Sequence, residues 1–457
     1  MCFFFETIKN LLQYRRSCLK NKKIDVFLII FFIVLFLYPL LIIPNSTGLY
    51  TAPRFIMLVF IALVALYLLV QENIKFHFSM TFLGFFLTTT FLSSLLAQDK
   101  LTAFIGTWGP YFINFSDKKD SEQVFYLTRF TGLITYFSCA VLFLLATKAK
   151  SIEKIFMYLI SGATVVSLLA VLQYYGIDLV PQHENYKGFI RSHGTFGNPN
   201  FLGTYTVFIL PAALLFFLKF KKYYWLLSSS IIYAGMLVST TRGAWIAFLY
   251  LIVLIFYIKY KSIEKRKALI QLGVALVLTT FILSVSKEGY IYNRFISVPE
   301  QIVSAAQLDD KAGSSRMYIW KEVVKIIPDN WAFGVGPDHL IYEGILMPNP
   351  NKNIIVDKAH NIYLEIAATM GLFSLAAYLA FLSFFLRPWK NDLGFLYFTM
   401  ISTYLLQGFF NIDVIMVMPL FWIILGLSLR NQMKPEEALW FESEKLIIGN
   451  CSPDQTK

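Results

Sequence analysis

Charge is scarce in this 457-residue sequence: Asp, Glu, Lys and Arg make up 15% of it, against roughly 25% in an ordinary soluble domain. That shortage argues against a water-soluble fold. Cysteine is scarcer still, at four residues. On the orientation derived below, Cys2, Cys18 and Cys451 fall on the cytoplasmic side and Cys139 inside an apolar run, which leaves the exterior with no disulfide framework and no cysteine metal site. Neither a GxxxxGK[ST] loop nor a GxSxG elbow occurs, so ATP hydrolysis and triad hydrolase chemistry find no support. His183, His193, His339 and His360 are scattered, without an HExxH pair or a Cys/His cluster, which argues against zinc. A loosely held divalent ion on Asp338 or Asp357 stays open. There is no soluble appendage, short-period repeat or low-complexity tract.

What is abundant is apolar: 57% of residues are hydrophobic and 17% aromatic. Crossing the hydrocarbon core takes about 20 mostly apolar residues, because irregular backbone does not survive in contact with lipid. Twelve such runs lie near 24–44, 54–71, 78–97, 124–147, 152–176, 200–218, 223–239, 243–258, 268–286, 361–386, 393–411 and 414–430. The expected fold is therefore all-α, a polytopic transmembrane helical bundle of about 12 spans with one long extracytoplasmic loop containing short helices. The seventh and eighth runs are short and joined by a tight turn at Ser239–Arg242, so either can be tilted or partly re-entrant; both count as spans. A basic head (Arg15, Arg16, Lys20, Lys22, Lys23) precedes the first run. That run is long and IPNSTG offers no small-residue cleavage site, so it reads as an uncleaved span rather than a signal peptide.

The formal net charge of +12 would suit nucleic acid only if basic residues gathered on one face or tail. Instead they alternate between apolar runs. Since Lys and Arg accumulate in cytoplasmic loops, the basic set marks the inside. It comprises the N-terminal head, Lys75, Lys148/Lys150/Lys154, Lys219/Lys221/Lys222, Lys259/Lys261/Lys265/Arg266/Lys267, Arg387/Lys390 and the tail from Arg430. Loops 98–123, 177–199 and 287–360 and the turns at Ser239–Arg242 and Asn411–Asp413 then face outward, with both termini inside. The positive charge is a topology signal, with room for anionic-lipid contact. Loop 287–360 contains an amphipathic helix starting near Ser315, with Met317, Trp320, Val323, Val324 and Ile327 on one side and Lys321, Glu322 and Lys325 on the other. Pro328 ends it, and such a helix lies along the outer surface or over a cavity beneath.

Unusual segments collect on the exterior: RSHGTFGNPN (191–200), STTRGAW (239–245), SSRMYIW (314–320), FGVGPDHL (333–340) and KAHNIYLE (358–365). Arg191, Arg242 and Arg316 come from three of them, and guanidinium matches phosphate oxygens in a bidentate geometry that lysine cannot reproduce. Each can also be a snorkelling interface arginine or one tied to a loop carboxylate. Gly194, Gly197 and Asn198-Pro199-Asn200 give a sharp entry to the sixth run, with Asn198 or Asn200 able to cap the helix. Free N–H groups there would face an anion, or the turn is only a well-capped helix start. Gly334 and Gly336 permit a tight turn. His360 begins the tenth run, where the helix dipole favours a neutral imidazole able to accept a proton near pH 7. Asn361 and Glu365 share a helix face. The plainer alternative is that His360 caps and Glu365 pairs with an arginine of a neighbouring span.

These residues resemble the O-antigen ligase and polymerase family of bacterial membrane glycosyltransferases. The similarity runs from about Phe189 to Gly426 and rests on GTFGNPNFLGTY, STTRGAWIAF, SRMYIWKEVVKIIPDNWAFGVGPDHL and AHNIYLEIAATMGLFSL, in that order. The resemblance implies metal-independent, inverting transfer of a glycan from an undecaprenyl-diphosphate carrier to an acceptor hydroxyl at the outer face of the inner membrane. It implies a GT-C-like enzyme with no cofactor. Arg242 and Arg316 would bind the donor diphosphate, with Arg191 as an additional contact, and His360 would activate the acceptor; Asn361, Glu365 and Asn200 would support them. The implied partners are the undecaprenyl-diphosphate-linked glycan, an acceptor glycolipid or glycan such as the lipid A core, and membrane lipids, with no nucleic acid. Residues 1–185 would supply spans one to five, 186–430 the ligase-like core, and 431–457 a cytoplasmic tail. A polymerase, a protein oligosaccharyltransferase and a lipid-linked glycan flippase or transporter compete. Transporters place polar sites near the midplane of repeated halves, whereas here the polar candidates gather at the outer ends and in one asymmetric loop, with Arg129 the main intramembrane exception.

Overall fold

The computed structural model describes residues 25–44, 48–114, 122–181, 190–259, 263–307, 309–347, 354–387 and 391–433. The basic head, Cys2, Cys18, His183, Lys261, Lys390, Cys451 and the tail beyond residue 433 lie outside the described residues. The chain is mostly helical. Helix α1 (Val26–Phe32) continues through a π turn and a 3₁₀ turn to Leu40, and is followed by α2 (Ala52–Val70), α3 (Ser79–Leu96) and α4 (Lys100–Ile105). A hairpin of β1 (Trp108–Asn114) and β2 (Glu122–Thr128) leads to α5 (Leu133–Ala146), α6 (Ile152–Tyr174), α7 (Pro199–Phe220), α8 (Tyr223–Ser239), α9 (Arg242–Lys259) and α10 (Ile263–Val285). Then come α11 (Tyr290–Ala306), α12 (Ala312–Ile326), the short pair β3 (Leu346–Met347) and β4 (Ile354–Ile355), α13 (Ile362–Ser383), α14 (Asp392–Gly408) and α15 (Met418–Met433).

Among the described residues six helices are long and apolar enough to cross a membrane: α2, α3, α6, α7, α10 and α13. Three apolar helices are shorter, Val26–Leu40, Leu133–Ala146 and Arg242–Phe256, and α8, α14 and α15 have 17, 17 and 16 residues. Each expected run thus contains a helix, and six reach spanning length. The fourth run departs most from expectation. Its first residues belong to a strand, 122–128, that pairs antiparallel with 108–114 from Trp108↔Thr128 to Asn114↔Glu122, and the helix starts only at Leu133. Arg129 therefore sits in the connection after the hairpin, not within a span.

Helix α7 is central and wholly buried, whereas α10 is the most exposed of the six. One hydrophobic core runs from Ile30 of α1 to Leu429 of α15. At one end of the bundle Lys75, Lys148, Lys150 and Arg430 line a cavity of about 490 Å³ together with Asp25 and Glu72. The opposite end, where α7, α9 and α13 begin, holds the loops rich in Arg, His and Gly.

The segment between α10 and α13 is packed rather than open. Helix α12 becomes regular only at Arg316, because Gly313, Ser314 and Ser315 have positive φ. Its Ile319 and Val323 meet Leu340, Val356, Ala359 and Ala368 in a second small core, while Val324, expected on the same apolar side, is 49% exposed. The chain after Pro328 runs beside α13, which breaks at Gly371 (φ +85°). There Leu372 N–H donates to the Trp331 carbonyl at 2.7 Å, and the N–H groups of Val335 and Gly336 donate to Ala368 and Thr369 at 3.1 and 2.7 Å. A side chain on Gly334 or Gly371 would collide with the facing backbone, and both glycines have positive φ. Gly334 thus serves close backbone approach as well as a turn.

Candidate active site

Three expected arginines converge, and a fourth joins them. Arg191 is fixed before α7: its Nε donates to the Ser239 carbonyl at 3.3 Å and to Thr240 Oγ1 at 2.9 Å, and its Nη2 to Asn200 Oδ1 at 3.1 Å. Asn198, not Asn200, caps α7, accepting the Asn200 N–H at 2.8 Å. Asn200 is left to orient Arg191. Thr240, at φ +50°, makes the tight turn that puts Arg242 at the head of α9. There Arg242 Nη2 donates to Ser297 Oγ of α11 at 3.0 Å. Arg316 opens the regular part of α12 and donates through Nη1 to the Gly313 carbonyl at 3.0 Å. The fourth arginine, Arg294 on α11, stands one turn from Ser297.

Among the described residues none of the four forms an ion pair with a carboxylate, and the Nε atoms of Arg242, Arg294 and Arg316 are buried without a hydrogen bond. Burial, followed by the fields of Arg191, Arg242 and Arg294, lowers the Arg316 guanidinium to about 10. Burial and then Arg294 lower Arg191 to about 10 as well. Both remain cations at neutral pH, in surroundings that resist their charge. Such a group of like charges is expensive unless an anion joins it.

His360 adjoins this cluster. The preceding segment is gripped from both sides: the Ala359 carbonyl accepts from Trp320 Nε1 at 3.0 Å, and the Ala359 N–H donates to Glu365 Oε2 at 2.7 Å. His360 follows in the left-handed region (φ +52°), and Asn361 caps α13 by accepting from the N–H groups of Tyr363 and Leu364 at 2.9 and 3.1 Å. Nδ1 of His360 is buried without a partner. Burial first, then Arg316, lowers the imidazole to about 4. Burial and a neighbouring cation, more than the helix dipole, thus favour the neutral imidazole at pH 7.

Glu365 pairs with Lys358 at 2.9 Å rather than with an arginine. Lys358 also pairs with Asp338 and donates to Thr131 Oγ1 at 3.1 Å. Asp338 Oδ2 accepts from Thr107 N–H at 2.6 Å. Burial opposes the charge on Lys358, but Asp338 and Glu365 outweigh it and raise the ammonium above its ordinary value. Asp357 is held by Arg129 through bonds of 2.5 and 2.7 Å. His193 is tied to Gln173, and His339 Nε2 accepts from the Asp99 N–H at 3.2 Å. Among the described residues no three His, Cys, Asp or Glu side chains gather where they could hold a metal.

The motif reading missed Arg294 and Lys358. Lys358 stands in KAHNIYLE, seven residues before its partner Glu365. Arg294 has a fainter signal: with Ser297 and Gln301 it forms a polar stripe at helical spacing, opposite Tyr292, Phe295, Ile296 and Val303.

A family model described as O-antigen ligase matches residues 226–379, from α8 to α13. Over these residues the chain is similar to that family. They include Arg242, Arg294, Arg316, His360 and Glu365, and Arg191 and Asn200 lie just upstream. The match is narrower than the resemblance over 189–426. No curated protein matches the chain.

Proposed function

We propose that this O-antigen ligase-like protein transfers a glycan from an undecaprenyl-diphosphate carrier to an acceptor hydroxyl, the lipid A core or a related surface glycan, at the outer face of the inner membrane. The observation that carries the reading is a set of four guanidinium groups, without a paired carboxylate among the described residues, beside a neutral buried histidine. Guanidinium clusters of this kind suit a diphosphate. The loop charges favour twelve spans with both termini cytoplasmic and the arginine end outside.

In the reaction the acceptor oxygen attacks the anomeric carbon from the face opposite the diphosphate and inverts it. A bond forms between that oxygen and the anomeric carbon, and the bond from the anomeric carbon to the phosphate oxygen breaks. The electron pair leaves with the diphosphate, where Arg191, Arg242 and Arg316 stabilise it, the role that preorganised cations play in a partly dry site. The acceptor proton passes to neutral His360. Asn200 orients Arg191, while Asn361 and Glu365 hold the segment bearing His360. No step calls for a metal or cofactor.

The test supplies the purified protein with an undecaprenyl-diphosphate oligosaccharide and candidate acceptors, and compares wild type with His360→Ala and Arg316→Ala at matched expression. Transfer to a lipid A core glycan by wild type, lost in both variants, supports the ligase. Extension of a second carrier-linked glycan would make it a polymerase of the same family. Movement of intact donor across the bilayer without transfer would overturn the enzyme reading in favour of a flippase.

A further inference from the structure

Arg294 enters the site from an element that carries no motif. Arg294, Ser297 and Gln301 lie at i, i+3 and i+7 on one face of α11. Ser297 Oγ accepts from Arg242 Nη2 at 3.0 Å. Gln301 Oε1 accepts from the Gly313 N–H at 3.1 Å, and the Gly313 carbonyl in turn accepts from Arg316 Nη1 at 3.0 Å. One helical face thus supports two site arginines and adds a third cation beside them. The opposite face, with Tyr292, Phe295, Ile296 and Val303, is more than half exposed, and Phe295 also meets Trp245 of α9 in a tilted ring contact with centroids 5.6 Å apart.

A snorkelling arginine keeps its head in water beside an apolar surface. Arg294 differs: it sits on the polar face near enough to Arg242 for their charges to repel, and its Nε is buried and unbonded. A half-buried guanidinium with no carboxylate partner beside three other arginines is unfavourable, which is understandable if an anion is the missing partner. We propose that Arg294 is a fourth ligand of the carrier's diphosphate, delivered by α11, which also holds Arg242 and the Arg316 turn in place. The proposal rests on the diphosphate reading above. A glycosyl diphosphate carries two negative charges, and a third appears on the leaving group as the glycosidic bond breaks. The fourth cation matches that added charge, so Arg294 favours carriers with two phosphates over carriers with one.

The experiment measures binding of undecaprenyl diphosphate and undecaprenyl monophosphate to the full-length protein in nanodiscs, for wild type, Arg294→Ala, Arg294→Lys and Arg316→Ala. Losing one charge-assisted contact should weaken diphosphate binding by about tenfold in Arg294→Ala, with a much smaller loss for the monophosphate and partial recovery in Arg294→Lys. Wild-type diphosphate affinity in Arg294→Ala, with Arg316→Ala impaired, would overturn the assignment of Arg294 and leave the site standing. Equal weakening toward both lipids would also overturn it, since a helix that merely packs badly has no reason to discriminate between them. Wild type binding neither lipid would overturn the underlying diphosphate reading.

Discussion

Two charged regions meet at His360, and they are built on opposite rules. On one side Lys358 is sandwiched between Asp338 and Glu365 and bonded to Thr131, while Arg129 holds Asp357. On the other side Arg191, Arg242, Arg294 and Arg316 gather with no ion pair to a carboxylate among the described residues. Arg54 shows that this second state is not simply what happens to a buried arginine here: it donates to the carbonyls of Tyr38, Tyr50, Pro39 and Thr195. Unsatisfied charge, rather than charge itself, distinguishes a binding surface from a structural clasp.

The sharpest way to break the comparison is to remove one member from each side. Lys358→Ala strands Asp338 and Glu365 in a buried site, and breaking a buried pair costs about 3–5 kcal/mol. Thermal or denaturant unfolding of the purified protein should show that loss. Replacing Asp338 and Glu365 by Asn and Gln in the Lys358→Met background should recover much of it. If Lys358→Ala unfolds like wild type, the clasp is not structural. Arg316→Ala should do the opposite, lowering glycan transfer by about 10²–10³ as a lost oxyanion-type donor does, while the unfolding midpoint holds or rises as like-charge repulsion is relieved. A midpoint that falls with the activity would place Arg316 among the structural charges.

How far this division can be read from sequence depends on where each partner comes from. Arg191, Arg242 and Arg316 stand out because each lies in a short distinctive segment beside glycine, serine or threonine residues that permit a turn. Arg294 lies in a segment of mixed polarity, and its meaning appears only when α11 meets the first turn of α9, Ser297 on Arg242 and Phe295 against Trp245. Lys358 and Glu365 are near in sequence, but Asp338 comes from a different segment, so the clasp is a tertiary fact. The twelve apolar runs each yield a helix for the same reason they are visible, a continuous demand for internally bonded backbone. Residues 124–132 mislead because their apolar and aromatic character suits a strand as well as a helix, and pairing with 108–114 decides the matter. The break at Gly371 is illegible in the sequence, since it exists to accept the backbone of Trp331 and Ala332.

A smaller effect sharpens the boundary itself. Burial and Arg316 depress His360 to about 4 in the free protein, and only the neutral imidazole accepts a proton. Activity that depends on it is therefore present above that pKa and lost as pH falls through it. Bound diphosphate would offset the field of Arg316 and let the imidazole pKa rise. The acid limb of kcat, which reports the bound complex, should then lie at higher pH than that of kcat/KM, which reports the free enzyme. Full pH–rate profiles of wild type check this. Coincident limbs would mean that the donor's charge does not reach His360.

The finest test concerns orientation. Asn200 Oδ1 accepts from Arg191 Nη2, but the same guanidinium keeps the Ser239 carbonyl and Thr240 Oγ1 through Nε. Asn200→Ala therefore leaves Arg191 in place and only frees one edge of it, at a cost on the order of 0.5–1.5 kcal/mol. Because α7 is capped by Asn198, the helix should be unaffected and the unfolding midpoint unchanged. The loss should appear as a donor KM several-fold higher with kcat nearly constant, the signature of weakened binding shared by ground and transition states. A drop in kcat at constant KM would instead assign Asn200 to the leaving group's developing charge, moving it from the scaffold into the unsatisfied side of the site.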